Sequence, residues 1–129
     1  MARKEAREFA MQTLFQIDVH KDFENPDIEK YMGGKKLGNQ KEYVTSLLTQ
    51  ICANIEAVDE KINACSENWP TSRMAKTDLA ITRIAVGEIL FREDVPKAVA
   101  INEAVNLAKD YGTDTSAGFI NAILGKVEK

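Results

Sequence analysis

The stretch Met74–Arg92, MAKTDLAITRIAVGEILFR, decides how the rest of this chain folds. Its large apolar residues recur at helical spacing but do not fall on a single stripe. They are Leu79, Ile81, Ile84, Val86, Ile89 and Leu90. A helix that is apolar on more than one face must be surrounded by other elements. The stretch therefore predicts a central, well-buried helix.

The preceding segment, residues 41–66, also has helical periodicity. Its apolar positions, alternately four and three residues apart, are Val44, Leu48, Ile51, Ile55, Val58, Ile62 and Cys65. This spacing predicts a continuous apolar seam. An internal helical bundle is favoured over a coiled-coil dimer, because no other segment shows the pattern. One long helix and two helices meeting at Asn54 or Asp59 both fit, and Trp69-Pro70 ends the element.

Residues 2–19 predict an amphipathic helix with two apolar stripes. One stripe consists of Ala6, Phe9, Ala10, Thr13, Leu14 and Ile17, and the other, roughly opposite, of Met11, Phe15 and Val19. A helix apolar on two sides is either sandwiched within the fold or carries a partner surface. Its first turns are basic through Arg3, Lys4 and Arg7, with Glu5 and Glu8 partly cancelling that charge.

Weaker signals join and follow these helices. Residues 27–32 predict a short helix, and the glycine-rich residues 33–39 a flexible loop without the lysine of a phosphate-binding loop. Asp94 is predicted to cap the next helix, with Pro96 in its first turn, and Gly112 to end it in the left-handed conformation. Phe119, Ile120, Ile123, Leu124 and Val127 mark a last helix. The chain is predicted to be one compact all-α domain, residues 1–129, of six or seven helices.

Composition narrows the function classes. The chain has 129 residues and a formal net charge of −3, so any nucleic-acid site must be a local patch. No apolar run is long enough to span a bilayer, and no secretory signal is present, which predicts a cytoplasmic protein. His20 is the only histidine, and Cys52 and Cys65 are expected to be buried free thiols. These features predict no catalytic set, no metal site and no cofactor.

Several short motifs lie at characteristic separations along the chain. They are Ala6-Arg7-Glu8, Gln12, Leu14-Phe15, Asp94-Val95-Pro96, Ile101-Asn102-Glu103-Ala104-Val105, Ala108-Lys109, Tyr111-Gly112 and Phe119-Ile120-Asn121. In this combination the chain resembles the transcription antitermination factor NusB family over nearly its whole length. The resemblance implies two three-helix bundles packed perpendicular to one another. It also implies binding of boxA RNA together with the small ribosomal-subunit protein NusE, within the antitermination complex of RNA polymerase on ribosomal RNA operons.

The resemblance also assigns residues. The positions matching the family's RNA-binding residues are Arg3, Lys4, Arg7, Arg83, Lys109, Tyr111 and Thr115. Those matching the surface used against the ribosomal protein are Phe15, Ile17, Val19 and Asp78. Replacing Arg3 and Arg7 with alanine is expected to weaken RNA binding and leave thermal stability nearly unchanged. For Phe15 two roles stay open, a partner contact and burial between the helical bundles.

This chain departs from the family pattern at three positions: Glu5 lies in the basic head, Gly87 replaces an aromatic residue and Ala122 replaces a glycine. Two other functions remain possible. One is a module like the N-terminal domain of some ribosomal-RNA cytosine methyltransferases, and the other is a helical protein-interaction domain without RNA binding. The sequence leaves monomer and homodimer equally open.

Overall fold

The computed structural model describes residues 1–129 and contains helices but no strand. The helices are α1 (Arg3–Val19), α2 (Ile28–Met32), α3 (Lys41–Ala53), α4 (Ile55–Cys65), α5 (Lys76–Phe91), α6 (Lys97–Tyr111) and α7 (Ser116–Gly125). Short 3₁₀ turns, Gly38–Gln40 and Thr71–Arg73, precede α3 and α5. The predicted all-α class with six or seven helices is confirmed.

Helix α5 lies at the centre, as its sequence predicted. All eleven residues from Leu79 to Ile89 are buried. Helices α1, α3 and α5 pack against one another, and so do α5, α6 and α7. The two groups of three helices are thus joined by one shared helix. Helix α2 packs on α1 and α3, whereas α4 packs on α5 and α7.

The seam of residues 41–66 belongs to two helices that meet at Asn54. The backbone of Asn54 leaves the helical region, at φ −123° and ψ 27°, and its side-chain amide donates to the carbonyl of Gln50 at 2.8 Å. All seam residues except the half-buried Ile55 are buried within the chain. The seam is therefore unavailable to a second copy, which argues against a coiled-coil dimer.

Two predictions about helix ends were wrong. Asp94 does not cap α6; its carboxylate instead accepts two hydrogen bonds from Arg92. Gly112 is not left-handed, since its φ is −93° and its ψ −166°. Position 112 has no room for a larger side chain, because a Cβ there would lie 2.5 Å from Cβ of Ser116 and 2.8 Å from the carbonyl oxygen of Ala108.

Gly112→Ala is expected to lower the free energy of unfolding by about 1–3 kcal/mol, because the backbone of Ala108 cannot move aside cheaply. Gly118→Ala is the matched control within α7, where a Cβ would meet nothing within 4 Å. That control should be neutral or stabilising by up to about 1 kcal/mol, as alanine is the better helix former. Urea denaturation of both variants measures the difference, and equal midpoints would contradict the steric argument.

A side chain at Gly87 would also collide with a neighbouring residue. A Cβ at Gly87 would lie 2.6 Å from Cδ1 and Cγ1 of Ile51 on α3. Ile51 therefore fills the space above α5 where an aromatic residue at position 87 would need to fit. The departure from the family pattern is accommodated by close packing of α3 on α5.

Both cysteines, Cys52 and Cys65, are buried and unpaired, as predicted. No helix has both the length and the apolar character needed to cross a membrane. No group of three or more histidine, cysteine, aspartate or glutamate side chains is arranged to hold a metal ion.

Candidate nucleic-acid and protein interface

The basic head of α1 begins with Arg3 and Lys4. The guanidinium carbon of Arg3 lies 4.0 Å from the centre of the Tyr43 ring, and its Nε donates to the side-chain oxygen of Gln40. One Nη is also 3.9 Å from the carboxylate of Asp94. These contacts hold the Arg3 side chain in place. It is still accessible, because 35% of it is exposed. Lys4 is exposed and forms no ion pair within the chain.

Arg7, which the resemblance assigns to RNA binding, does not belong to the exposed head. It is only 4% exposed. Its Nε and Nη2 donate to the two carboxylate oxygens of Glu88 at 2.9 and 2.8 Å, and Nη1 lies 3.7 Å from Glu103. Burial alone would lower the pKa of Arg7, but the hydrogen bonds and charge of Glu88 raise it instead. Arg7 is thus a charged internal link between α1, α5 and α6.

Tyr43 organises this end of the molecule. Its buried ring has the guanidinium carbons of Arg3, Arg92 and Arg7 at 4.0, 5.3 and 5.8 Å from its centre. Such cation–π contacts stabilise by about 0.5–2 kcal/mol each, depending on exposure. Burial, followed by the nearby charge of Glu88, raises the pKa of Tyr43 well above its usual range, so the phenol stays neutral. The arginines here are largely balanced by neighbouring carboxylates.

The C-terminal end of α6 reaches the exposed side of α1. Tyr111 is 41% exposed, and its hydroxyl accepts a hydrogen bond from Nε2 of Gln12 at 3.2 Å. A hydrogen bond with the Glu8 carboxylate, followed by partial burial, raises the pKa of Tyr111 above its usual range. Because Lys4, Glu8 and Gln12 are spaced four residues apart, they line one side of α1. We call these three residues and Tyr111 the α1–α6 surface.

Lys109 and Thr115 are exposed but are not tied to α1. Lys109 forms no ion pair, and Thr115 lines a separate cleft together with Asp78. Sequence reasoning overlooked Gln12 as the residue that joins α1 to Tyr111. The spacing of Lys4, Glu8 and Gln12 along one side of the helix was the available signal.

Arg83, which the resemblance assigns to RNA binding, is also buried, at 5% exposure, and its guanidinium is held by carboxylates within the chain. It donates two hydrogen bonds to Asp59 at 2.9 and 2.7 Å and lies 3.2 Å from the carboxylate of Asp18. Asp18 also pairs with Lys76 at 3.1 Å. This network ties the C-terminal end of α1 to α4 and α5. It also shows that α1 and α5 are antiparallel, since Arg7 pairs with Glu88 at their other ends.

The residues predicted to contact a protein partner differ in accessibility. Val19 is 51% exposed, and Phe15 is half-buried against the core. Ile17 is fully buried and offers no exposed surface to a partner. Met11, from the same stripe as Phe15 and Val19, is 2% exposed and belongs to the core. The second stripe therefore passes from core to surface along α1.

Asp78 contributes to a cleft of about 490 Å³ between the start of α5 and the start of α7. The cleft is lined by Trp69, Arg73, Met74, Ala75, Asp78, Thr115 and Phe119. Trp69 is 43% exposed, and the guanidinium carbon of Arg73 lies 4.7 Å from its ring centre. The structure thus brings Thr115, assigned to RNA, together with Asp78, assigned to the protein partner. From the sequence, Trp69 was interpreted only as part of the segment that ends a helix.

Comparisons with known proteins agree over nearly the full chain. The NusB family model matches residues 4–129. Transcription antitermination protein NusB of Alkaliphilus oremlandii is 42% identical, with 98% of this chain and 92% of that protein covered. The protein of the same name from Acetivibrio thermocellus is also 42% identical, with 100% and 90% covered. A solved structure of T. maritima NusB superposes with a TM-score of 0.86 at 30% identity, covering 98% of this chain and 89% of that one.

Proposed function

The chain belongs to the NusB family, and from this premise we propose that it is a transcription antitermination factor that acts as an RNA-binding adaptor. It recognises boxA RNA together with the small ribosomal-subunit protein NusE. As part of the antitermination complex of RNA polymerase, it promotes processive transcription of ribosomal RNA operons in the cytoplasm. The observation that carries this proposal is the full-length similarity to relatives named as antitermination proteins. The role is one of binding and needs no catalysis.

The α1–α6 surface is the part of the molecule best suited to single-stranded RNA. Lys4 and the accessible part of Arg3 offer cations to phosphates, which position an RNA without reading its sequence. Tyr111 offers an exposed aromatic ring, and bases of single-stranded RNA stack on such rings. Gln12 holds the Tyr111 hydroxyl, so the ring is oriented before RNA arrives.

The protein partner is proposed to contact Val19, Phe15 and the cleft that contains Asp78. Val19 ends α1, whose Asp18 pairs with Lys76 in the first turn of α5, two residues before Asp78. Val19 and Asp78 therefore lie near the same end of the α1–α5 pair. An exposed aliphatic residue, a partly exposed aromatic ring and a carboxylate suit a basic protein with an apolar patch.

Two surfaces on one rigid helix explain why RNA and protein would bind together. Few unpaired cations are accessible at the RNA surface, so we expect weak RNA binding by the chain alone. A partner held on α1 would add its own RNA contacts at a high effective concentration. RNA affinity is therefore expected to rise strongly when NusE is present.

The test is a titration of labelled boxA RNA with the full chain, with and without NusE, at several salt concentrations. Tighter binding in the presence of NusE, weakened by salt and by scrambling the boxA sequence, is the expected result. If the chain binds NusE but neither mixture discriminates boxA from scrambled RNA, it is a protein-interaction domain without RNA recognition.

Tyr111→Ala is expected to weaken binding of boxA RNA by about 1–3 kcal/mol, the usual contribution of one stacked base. Tyr111→Phe is the matched control, because it keeps the ring and removes only the hydroxyl bonded by Gln12. The measurement is the same titration with NusE present, alongside melting curves of both variants. Equal losses in the two variants would mean that the hydroxyl, rather than stacking, makes the contribution.

A further inference from the structure

The accessible positive charge of the α1 head is smaller than the sequence suggests. Arg7 is buried with Glu88, and Arg3 is shared among Tyr43, Gln40 and Asp94. The fully exposed cation that remains is Lys4, and the carboxylates of Glu5 and Glu8 lie within one turn of it. An RNA strand that met only this head would find little net positive charge, so tight binding needs other unpaired cations close to α1.

The loop between α2 and α3 supplies two such cations. Lys35 and Lys36 are both exposed, and neither belongs to an ion pair, although ten ion pairs are present in the chain. Nζ of Lys35 lies 5.8 Å from the centre of the Phe9 ring, so the ammonium group of this loop residue reaches α1. The loop is therefore close enough to α1 to extend its basic surface.

The loop is held at its ends and adaptable in its middle. Met32 before it and Leu37 after it are buried, at 5% and 2% exposure. Between them, Gly33 and Gly34 have φ values of 60° and 76°, a region that glycine adopts without strain. A Cβ at either glycine would meet nothing within 4 Å, so open space surrounds this part of the backbone. The lysines thus have a fixed location and freedom to adjust to a ligand.

We propose that Lys35 and Lys36 form a second phosphate-binding patch, about 100° around α1 from the side that faces Tyr111, for the nucleotides that flank the boxA element. The inference rests on the proposed function and extends its RNA path. Phe9 and Glu8 are adjacent in sequence and therefore about 100° apart around α1. Since Glu8 faces Tyr111 and Phe9 faces Lys35, the exposed ridge of α1 separates the two patches.

The distance to be crossed fits an RNA strand. A helix with its side chains is about 10–12 Å across. Sites about 100° apart around α1 are closer together than that full width, so a strand with at least about 3.4 Å per nucleotide reaches from one to the other within about three nucleotides. Lysine acts as a mobile point charge, which suits phosphates of any sequence better than the edge of a particular base. The patch is therefore expected to add affinity without adding sequence specificity.

The experiment compares a short boxA RNA with one carrying about six extra nucleotides of unrelated sequence at each end. Both are titrated with the full chain and NusE over a range of salt. The variant is Lys35→Ala/Lys36→Ala. The control is Lys61→Ala/Lys126→Ala, which removes the same charge from α4 and from the residue after α7. Melting curves confirm that each variant is folded.

The extended RNA is expected to bind the wild-type chain several-fold more tightly than the short RNA. The loop variant should lose this gain. Its plot of log binding constant against log salt concentration should have a slope shallower by roughly 1.4, because each of the two removed charges contributes about 0.7. Its affinity for the short RNA should match that of the wild type, and the control variant should behave as the wild type with both RNAs.

Three results would each overturn the patch while boxA binding stands. The wild type could bind the two RNAs equally, the loop variant could keep the gain from the extended RNA, or the control variant could lose as much of it. If the wild type bound neither RNA, the proposed function would fail and the patch with it.

Discussion

Arg7→Ala is expected to lower the free energy of unfolding by about 3–5 kcal/mol, the typical result of removing one member of a buried ion pair. Glu88 is fully buried, and its carboxylate receives both hydrogen bonds from Arg7. Without the guanidinium, a charged group would remain in the core with no partner. Urea denaturation followed by circular dichroism measures the loss. This expectation replaces the sequence-based one, in which Arg7 could be removed with little effect on stability.

Arg3→Ala is the matched control, because Arg3 belongs to the same head but has a 35% exposed side chain. It should cost roughly 1 kcal/mol or less, as exposed charge contacts usually do. The double variant Arg7→Met/Glu88→Leu should recover much of the stability lost by Arg7→Ala, since apolar residues often replace a buried ion pair without loss. If Arg7→Ala and Arg3→Ala unfolded at the same urea concentration, the buried pair would contribute no more than a surface contact.

The helices were predictable where local periodicity and burial agree. Met74–Arg92 is apolar on several faces, and α5 is buried through eleven consecutive residues. Asn54 was one of two candidate breaks because the pattern of residues 41–66 continues across it. Its side-chain bond to Gln50 settles the break, but such a bond depends on the local conformation and cannot be read from spacing.

The ends of α6 show why local capping rules failed. Asp94 has the chemistry of a helix cap. However, Arg92, two residues earlier, offers it a bidentate charged partner that is stronger than a backbone hydrogen bond. Gly112 has the position of a left-handed helix end. The structure requires glycine there because Ser116 turns back onto it, a contact that follows from the path of the chain into α7.

The candidate site was predictable by residue type but not by accessibility. The motif identified Arg7 and Arg83 as cations, yet their partners are distant in sequence: Glu88 is 81 positions from Arg7, and Asp59 is 24 positions from Arg83. An arginine that will be buried with a distant carboxylate has the same local sequence as one that faces solvent. Lys35 and Lys36 lie in the segment with the weakest helical signal. Only the fold reveals that this loop returns to α1.

Phe15→Ala is the second large effect, and it concerns association with NusE. Truncating an aromatic anchor in an interface commonly costs 2 kcal/mol or more, which corresponds to a loss of affinity of roughly 30-fold or more. Phe15 is suited to this role because its ring is half-buried on the core and so held rigidly, with part of it still exposed. Affinity for NusE is measured by isothermal titration calorimetry, and RNA affinity of the mixed complex should fall with it.

The partial burial of Phe15 allows its two possible roles, partner contact and core packing, to be distinguished by the loss of stability. A fully buried phenylalanine replaced by alanine usually costs about 3–5 kcal/mol of stability. Because Phe15 is only half-buried, its loss should be smaller than that of Leu14→Ala, whose side chain is fully buried one residue earlier on α1. Leu14→Ala should in turn keep its affinity for NusE under conditions where it is folded. A partner role is refuted if Phe15→Ala unfolds as readily as Leu14→Ala and, while folded, binds NusE as tightly as the wild type. In that case the partly exposed ring closes the core beneath it, and Val19 and Asp78 would have to supply the contact without it.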